Sequence, residues 1–232
     1  MEQLAYTLER WKNGTLPETI ALRTRRIYDR LAFVYPVSTY LFHARANRCA
    51  LEMSGIRNGM DVLEVATGSG EMFRRIVRAN RNGATVGIDL SPRMAARTLR
   101  RVRREFPSSA TQCHAVDARN LPFPDGSFDA VVCCYMLELL SSDDIRLTVR
   151  EFGRVLRPRG TLTIVLIAQD GNVFNGAYRM AGALAPAFWG RQVDRDVPSI
   201  LAAVRFRIDG DRPVRQAFYR SRVLVASKTR SG

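Results

Sequence analysis

Residues 62–70, VLEVATGSG, constrain the fold more than any other stretch of this chain. The apolar run carries Glu64 and leads into a turn with Gly68 and Gly70, which is typical of a strand that feeds a nucleotide-binding loop. A second strand-like run ends at Asp89, about twenty residues farther along, where such folds place a ribose-binding carboxylate. The two runs together predict a site for a cofactor that carries adenosine.

The glycine turn alone leaves the class of cofactor open. A nicotinamide dinucleotide is one alternative that Gly68 and Gly70 allow. Folds that bind it place a third glycine where this chain has Phe73, so that the helix packs closely on the strand. The missing glycine therefore favours another adenosine cofactor.

Composition excludes several classes of protein. Among 232 residues, 46% are hydrophobic and 25% are charged, which counts against disorder and against a membrane-spanning protein. No apolar run approaches the roughly 20 residues that a spanning helix needs. The first residues lack the basic start and apolar core of a secretory signal. We expect a cytoplasmic protein with one domain of generous size.

The four cysteines follow neither the spacing of a zinc site nor that of a disulfide framework. We therefore expect reduced, mostly buried thiols and no bound metal. The four are Cys49, Cys113, Cys133 and Cys134.

The chain is strongly basic. Its 36 Lys and Arg residues against 22 Asp and Glu residues give a net charge of +14. Such a charge favours an anionic partner, and a solvated basic surface is the alternative. In the helix predicted at 92–105, the arginines lie opposite the apolar residues and are expected to face water.

The pattern of secondary structure changes near residue 58. Residues 1–58 have helical spacing of apolar residues, which Pro17 and Pro36 divide into about three helices. From residue 61 onward strands and helices alternate, which implies a mainly parallel sheet covered on both faces. Strands are predicted at 61–66, 84–89, 111–116, 128–134, 160–168, 203–209 and 219–227, and helices at 70–81, 92–105 and 142–156.

Local signals fix some of the ends of these elements. Ser91 is expected to cap the helix at 92–105, with Pro92 in its first turn. The last two strands are predicted to be joined by GDRPV at 210–214, a connection short enough only for an antiparallel pair. The sheet is therefore expected to end in a reversed strand.

Three later segments join the glycine loop in a family resemblance. They are VDARNLPFPDGSFDAVVC at 116–133, GRVLRPRG at 153–160 and TLTIVL at 161–166. With them the chain resembles the class I S-adenosylmethionine-dependent methyltransferases. The resemblance implies an α/β fold with a Rossmann-like sheet of seven strands, mostly parallel with one antiparallel. It also implies a helical N-terminal lid at 1–58 and a cofactor-binding core at 59–232, with a cap insert near 169–200.

The resemblance assigns residues to S-adenosylmethionine. The loop matches E/D-x-G-x-G-x-G with Ala66 in place of the first glycine, and alanine adopts positive φ less readily. By the resemblance, this loop binds the methionine part of the cofactor and Asp89 binds the ribose hydroxyls. The residues assigned to the cofactor are Tyr28, Glu64, Ala66, Gly68, Gly70, Asp89, Leu90, Met94, Asp117, Ala118, Cys134 and Tyr135.

Within these, Leu90 and Met94 would flank the adenine, and Asp117 with Ala118 would bind its amino edge. Cys134 and Tyr135 would lie near the sulfonium. Three residues have structural alternatives. Glu64 could instead anchor the loop, and Met94 could be a core residue of its helix. Asp117 could cap the following turn.

Within the family, VLEVATGSGE is most similar to the loop of the ubiquinone/menaquinone C-methyltransferases, VLDVATGTGD. Residues 28–36, YDRLAFVYP, also match that branch's F-D-x-x-A-x-x-Y-D motif except at Pro36. By this resemblance Tyr28 and Tyr35 lie on a helical lid over the cofactor, with aromatic packing of the helix as the alternative. The branch's Arg-Asn pair after strand 4 is replaced by CCYMLELL at 133–140. Bacterial phospholipid N-methyltransferases are therefore a second resemblance.

The expected substrate is lipophilic and membrane-associated, either a quinone or a phospholipid amine. Peripheral attachment to an anionic inner membrane would gain about 1 kcal/mol for each surface Lys or Arg. Residues 172–190 are rich in apolar and aromatic residues and are predicted to roof an apolar cavity or to lie at a membrane surface. Arg179 and Arg191 flank this segment and are candidates to bind a phosphate.

Catalytic residues are harder to predict, because methyl transfer depends chiefly on in-line positioning and exclusion of water. His43 on the third N-terminal helix is a candidate base. Tyr28 and Tyr35 are candidates to orient an amine, and Glu138 is a candidate to accept its proton.

Two other functions stay open. The charge favours a nucleic-acid (rRNA or tRNA) methyltransferase, although strand 4 is followed by neither an Asn/Asp-Pro-Pro-Tyr loop nor a Pro-Cys nucleophile. The second is a non-catalytic protein that keeps the cofactor fold, against which Asp89 and the glycine turn argue.

Overall fold

A computed structural model describes residues 35–168, 193–216 and 219–229. Strands and helices alternate along most of the chain from the first strand onward, as the sequence predicts, and in these ranges two pairs of consecutive strands have no helix between them. The elements are α1 (Tyr35–Met53), β1 (Val62–Val65), α2 (Glu71–Ala79), β2 (Ala84–Asp89), α3 (Pro92–Glu105), β3 (Ala110–Ala115), β4 (Phe128–Cys134), a 3₁₀ helix (Leu137–Leu139), α4 (Ser142–Val155), β5 (Leu156–Ile167), α5 (Val197–Ala203), β6 (Phe206–Arg215) and β7 (Arg220–Lys228).

The seven strands form one sheet in the order β3-β2-β1-β4-β5-β7-β6. Neighbours from β3 to β5 pair in parallel, and β7 runs antiparallel to both β5 and β6. The predicted fold class, with its one reversed strand, is confirmed. The strand order reverses between β1 and β4, and sheets of this type bind ligands outside the carboxyl ends of the strands at such a reversal.

The connection predicted between the last two strands is wrong. The residues GDRPV lie inside β6, and the chain turns later, between Gln216 and Tyr219. Pro213 is tolerated because β6 is the edge strand, where a missing backbone N–H need not break the ladder. The pairing of β6 with β7 also shifts between Ile208 and Gly210. Because of this irregularity, the alternation of apolar and polar residues does not continue along the whole strand, and the sequence pattern does not reveal its length.

Helices cover both faces of the sheet. On one face, Ala46 and Ala50 of α1 are fully buried in a core that also contains Met72 of α2. On the other face, Phe152 of α4 belongs to a larger core that includes residues of α5. Part of the predicted N-terminal lid therefore packs on the sheet. The division at residue 58 stays a prediction, and of the predicted cap insert the structure describes residues 193–200.

Helix α3 begins and ends where the sequence predicts. The Ser91 hydroxyl accepts a hydrogen bond from the Met94 N–H at 3.3 Å, and Pro92 is the first helical residue. Met94 and Val102 are buried on the side of the sheet. The opposite face is basic and meets water, as expected. Its exposed arginines are Arg93, Arg100, Arg101, Arg103 and Arg104.

The expected free thiols are confirmed, since all four cysteines are unbridged and none is exposed. Among the described residues, no group of three potential ligands is placed to hold a metal ion. In the same ranges, no helix is both long enough and apolar enough to cross a membrane.

Candidate active site

The loop that leaves β1 curls tightly beyond the carboxyl edge of the sheet. Ala66, Gly68 and Gly70 have φ angles of 61°, 48° and 76°, all in the left-handed region. The Thr67 N–H donates to the Ile88 carbonyl at 3.1 Å, which ties the loop to β2. The Gly70 N–H donates to the Thr67 carbonyl at 2.8 Å and closes the turn. Ala66 thus adopts positive φ despite its methyl group.

A cavity of about 210 Å³ opens at this edge of the sheet. Its wall comes from the carboxyl ends of β1, β2 and β4 and from the residues that follow β1, β2, β3 and β4. Helices α1, α2, α3 and α4 and the 3₁₀ helix also contribute side chains. Gly70 is absent from this wall, because it faces Thr98 of α3 instead. The structure brings together at the cavity the following residues that the sequence assigns to the cofactor: Glu64, Ala66, Gly68, Asp89, Leu90, Met94, Asp117, Ala118, Cys134 and Tyr135.

Asp89 holds the loop in place from the end of β2. Its Oδ2 accepts the Gly68 N–H at 2.8 Å, and its Oδ1 accepts the Ser91 N–H at 2.9 Å. A carboxylate can accept about four hydrogen bonds, so these two contacts are compatible with binding the hydroxyls of a ligand. Asp89 therefore fixes the loop and also presents negative charge to the cavity.

Glu64 is a buried carboxyl group in the cavity wall, with 2% of its surface exposed. Its Oε2 has no hydrogen-bond partner in the described part of the chain. Burial and, secondly, the charge of Asp89 raise the pKa of Glu64 well above its usual range. A buried carboxyl group in this state favours a ligand that brings a positive charge or an N–H donor.

The residues after β3 form an ion-pair network at the cavity. The Arg119 guanidinium donates to Asp117 Oδ2 at 2.6 Å and to Asp144 Oδ1 at 3.0 Å. Asp117 lines the cavity, but its carboxylate is already held by Arg119. Its assigned contact with an adenine amino group stays a prediction. Sequence reasoning missed Arg119, since no motif connects it to Asp144 in the distant helix α4.

An aromatic cluster contributes a second part of the wall. The ring centroids of His43 in α1 and Tyr135 after β4 are 4.0 Å apart. Tyr219 meets the His43 ring edge-on at 6.0 Å. The Tyr135 hydroxyl lies 2.7 Å from the Ser221 hydroxyl, which fixes this ring. Burial lowers the pKa of His43 to about 4, so its imidazole is uncharged at neutral pH.

Glu138 lies in the 3₁₀ helix and does not contribute to the cavity wall. Its side chain is buried, and its Oε1 accepts the Ile167 N–H at 2.8 Å. Burial raises the pKa of Glu138 to about 7. The structure therefore does not bring Glu138 to the site, and its predicted role as a proton acceptor gains no support from this position.

Besides Gly70 and Glu138, four further predicted site residues are not placed at the cavity. Tyr28, Arg179 and Arg191 lie outside the described residues. Tyr35 begins α1, but its side chain also lies outside them. Sequence reasoning missed Asn47, which lines the cavity one helical turn after His43. The spacing of four residues on α1 is the signal that could have found it.

Known proteins are similar to this chain in sequence and in fold. Residues 62–160 match the family model of the methyltransferase domain. The demethylmenaquinone methyltransferase of Tropheryma whipplei (strain Twist) is 34% identical over 160 residues, which cover 67% of this chain and 64% of that protein. Residues 62–160 of this chain therefore belong to the family of methyltransferase domains.

Other similarities agree with this family. The ubiquinone/menaquinone biosynthesis C-methyltransferase UbiE of Cellvibrio japonicus is 29% identical over 192 residues, 78% of this chain and 75% of that protein. The crystal structure of the N-methyltransferase NodS of Bradyrhizobium japonicum, in complex with S-adenosyl-L-homocysteine, superposes with a TM-score of 0.71 at 16% identity. It covers 89% of this chain and 99% of that chain, and it shows the shared fold. This chain spans 64% of the length of the Tropheryma relative.

The cavity of this methyltransferase fits S-adenosylmethionine. When bound, that cofactor supplies a methyl group already activated by a positively charged sulfur. Among the residues that line the cavity, Asp89 would bind its ribose hydroxyls, Leu90 and Met94 would flank its adenine, and Glu64 would receive its positive charge. At Gly68 the one described atom that a Cβ would meet within 4 Å is the Ala66 carbonyl oxygen, at 3.8 Å. Because this side is open, the backbone can approach a ligand closely.

The methyltransferase variant Glu64→Gln is expected to flatten the pH dependence of stability in the absence of cofactor. Folding raises the pKa of Glu64 above its value in the unfolded chain, which is about 4.3. The protonated carboxyl group therefore contributes fully to stability below that pH. This contribution is lost as the pH rises through the pKa of the folded state. The melting temperature of the wild-type protein should therefore fall more steeply over this range than that of the variant. Glu138 gives a slope of the same sign in both proteins. Equal slopes would show that Glu64 does not titrate in this way.

Proposed function

We propose that this chain transfers the methyl group of S-adenosylmethionine to a small lipophilic acceptor, either a quinone ring or the amine of a phospholipid headgroup. The observation that carries the proposal is the apolar wall next to Cys134, made by Tyr135, Met136, Leu139 and Leu140. Such a wall suits an apolar acceptor and excludes water from the reaction. The similarity to a demethylmenaquinone methyltransferase supports the quinone alternative.

Nucleic-acid methylation through a cysteine nucleophile is disfavoured by the state of the two thiols at the end of β4. Burial raises the pKa of Cys133 and of Cys134 above the ordinary range. Both thiols therefore stay protonated at neutral pH, and it is the thiolate that acts as a nucleophile. The basic face of α3 remains the argument for a nucleic-acid substrate.

Mass spectrometry of lipid extracts tests the proposal. Cells that express the chain should contain quinones or amine lipids whose mass has increased by one methylene group for each methyl group transferred. Cells that express Asp89→Ala at the same level should lack these species, because the variant loses the ribose-binding carboxylate. Unchanged lipids together with newly methylated nucleosides in RNA digests would replace this proposal with the nucleic-acid alternative.

Membrane attachment through the basic face of α3 is a further part of this proposal. The chain should float with vesicles that contain anionic phosphatidylglycerol, and high salt should release it. The double variant Arg100→Gln/Arg104→Gln should lose about 2 kcal/mol of binding, close to 1 kcal/mol for each arginine. Arg207→Gln is the matched control, because Arg207 is exposed but already paired with Asp209 at 2.7 Å. Flotation that ignores lipid charge and salt would contradict this attachment.

A further inference from the structure

Two polar side chains face the cavity from α1, one helical turn apart. His43 and Asn47 both line the cavity, and residues four apart lie on the same face of a helix. Neither carries a charge at neutral pH, because burial lowers the pKa of His43 to about 4. Helix α1 thus presents an uncharged polar pair next to the cofactor site.

Asn47 has an unused hydrogen-bond acceptor. The residue is 4% exposed, and its Oδ1 has no partner within the described ranges. An unpaired buried acceptor of this kind costs about 1–3 kcal/mol, which a ligand with a suitable donor would recover. The unpaired oxygen is therefore an independent sign that this part of the wall receives a ligand.

His43 is held by its neighbours in a fixed orientation. Its ring centroid lies 4.0 Å from that of Tyr135, with the two rings tilted by 36°, and it meets Tyr219 edge-on. A neutral imidazole has one donor and one acceptor nitrogen. The His43 N–H can therefore donate to the oxygen of a ligand hydroxyl whose own O–H donates to Asn47.

The surroundings indicate what kind of group this pair receives. A phosphate would require a cation, and among the described residues of the wall the sole cation at neutral pH is Arg119, which two carboxylates already hold. An ammonium group would require an acid, and the unpaired acid of the wall, Glu64, is placed for the cofactor. An uncharged O–H donor on a flat apolar body fits better, since Tyr135 and Met72 supply apolar contacts.

We propose that Asn47 and His43 form a subsite for a ring hydroxyl of the methyl acceptor, which donates its single O–H to Asn47 Oδ1 and accepts a hydrogen bond from the His43 N–H. The acceptor would then be a hydroxylated aromatic compound, such as the reduced form of a quinone, rather than a phospholipid amine. This inference rests on the proposed function and selects between its two acceptors. Both residues act as positioning residues in it.

Variants of the two residues test the subsite. Asn47→Leu keeps the volume of the side chain and removes the unpaired oxygen. Its kcat/KM with a 2-prenyl-1,4-naphthoquinol should fall about 10- to 100-fold, the effect of a lost buried hydrogen bond. Its affinity for S-adenosyl-L-homocysteine should stay unchanged, and its melting temperature should stay equal or rise. His43→Phe keeps the ring and should show a similar loss of transfer.

A ligand control separates the hydroxyl contact from general packing. The 1,4-dimethyl ether of the same compound lacks O–H donors, and it should bind wild-type protein and Asn47→Leu with equal affinity. The naphthoquinol, kept reduced, should bind the wild-type protein about 10-fold more tightly than the variant in the presence of S-adenosyl-L-homocysteine. Equal affinity of the naphthoquinol for both proteins would overturn the subsite.

Other outcomes have distinct meanings. Loss of S-adenosyl-L-homocysteine binding in Asn47→Leu would show that the cofactor supplies the donor, and it would overturn the inference. Methylation of phosphatidylethanolamine vesicles but not of the naphthoquinol would overturn it and leave the proposed function intact. Methylation of neither would overturn the proposed function, and the comparison of binding affinities would still decide the subsite.

Discussion

The variant Asp89→Ala is expected to bind S-adenosylmethionine about 30- to 1000-fold more weakly than the wild-type protein, a loss of roughly 2–4 kcal/mol. Hydrogen bonds to a charged acceptor contribute about 1.5–3 kcal/mol each, and the ribose offers two hydroxyls. The variant also loses the acceptor of the Gly68 N–H, so the loop is less well fixed. Isothermal titration calorimetry with S-adenosylmethionine and S-adenosyl-L-homocysteine measures the effect.

Two further variants separate these causes. Asp89→Asn keeps the shape of the side chain and can still accept one of the two backbone N–H bonds, so its loss should be smaller. Asp143→Ala removes a carboxylate whose side chain is 91% exposed, and it should leave binding unchanged. Unaltered binding in Asp89→Ala would remove the assignment of this residue to the ribose.

Local signals in the sequence predicted some elements with the correct bounds. Helix α3 follows Ser91 and Pro92, and strand β4 coincides with residues 128–134. A cap and an apolar pattern are properties of neighbouring residues, so they can be read without knowledge of the fold. The length of β6 could not be read in this way, because it depends on where the strand lies in the sheet.

In the candidate site, too, the sequence predicts what depends on neighbouring residues and does not predict contacts between distant segments. The loop and Asp89 belong to a contiguous pattern of strand, turn and strand, and the sequence located them. The pairing of Arg119 with Asp144 and the burial of Asn47 arise from the packing of α4 and α1. Such contacts between distant segments leave no periodic signal. Tertiary packing also places Glu138 outside the cavity, although its position soon after β4 suggested otherwise.

The two glycines of the loop, Gly68 and Gly70, are expected to differ in function: Gly70 supports stability, and Gly68 supports binding of S-adenosylmethionine. At Gly70, φ is 76° and a Cβ atom would lie 2.7 Å from Thr98 Oγ1, so Gly70→Ala meets both backbone strain and a clash. The two effects should lower the free energy of unfolding by about 2–4 kcal/mol. Gly68→Ala meets open space and should cost only the strain, about 1–2 kcal/mol. Gly68 lines the cavity, so the main effect of the added methyl group should be weaker binding of S-adenosylmethionine.

Urea denaturation and calorimetry on both variants distinguish stability from binding. The double variant Gly70→Ala/Thr98→Ala should recover part of the lost stability, because it removes the contacts with Thr98 Oγ1 and Cγ2 and leaves the contact with Cβ at 3.2 Å and the positive φ in place. Thr98→Ala alone supplies the reference for this cycle. If Gly70→Ala were as stable as Gly68→Ala, or if Gly68→Ala bound the cofactor as the wild-type protein does, the assigned roles would be wrong. A binding defect confined to Gly68→Ala would place the cofactor against the open side of the turn, where the backbone approaches it without an intervening side chain.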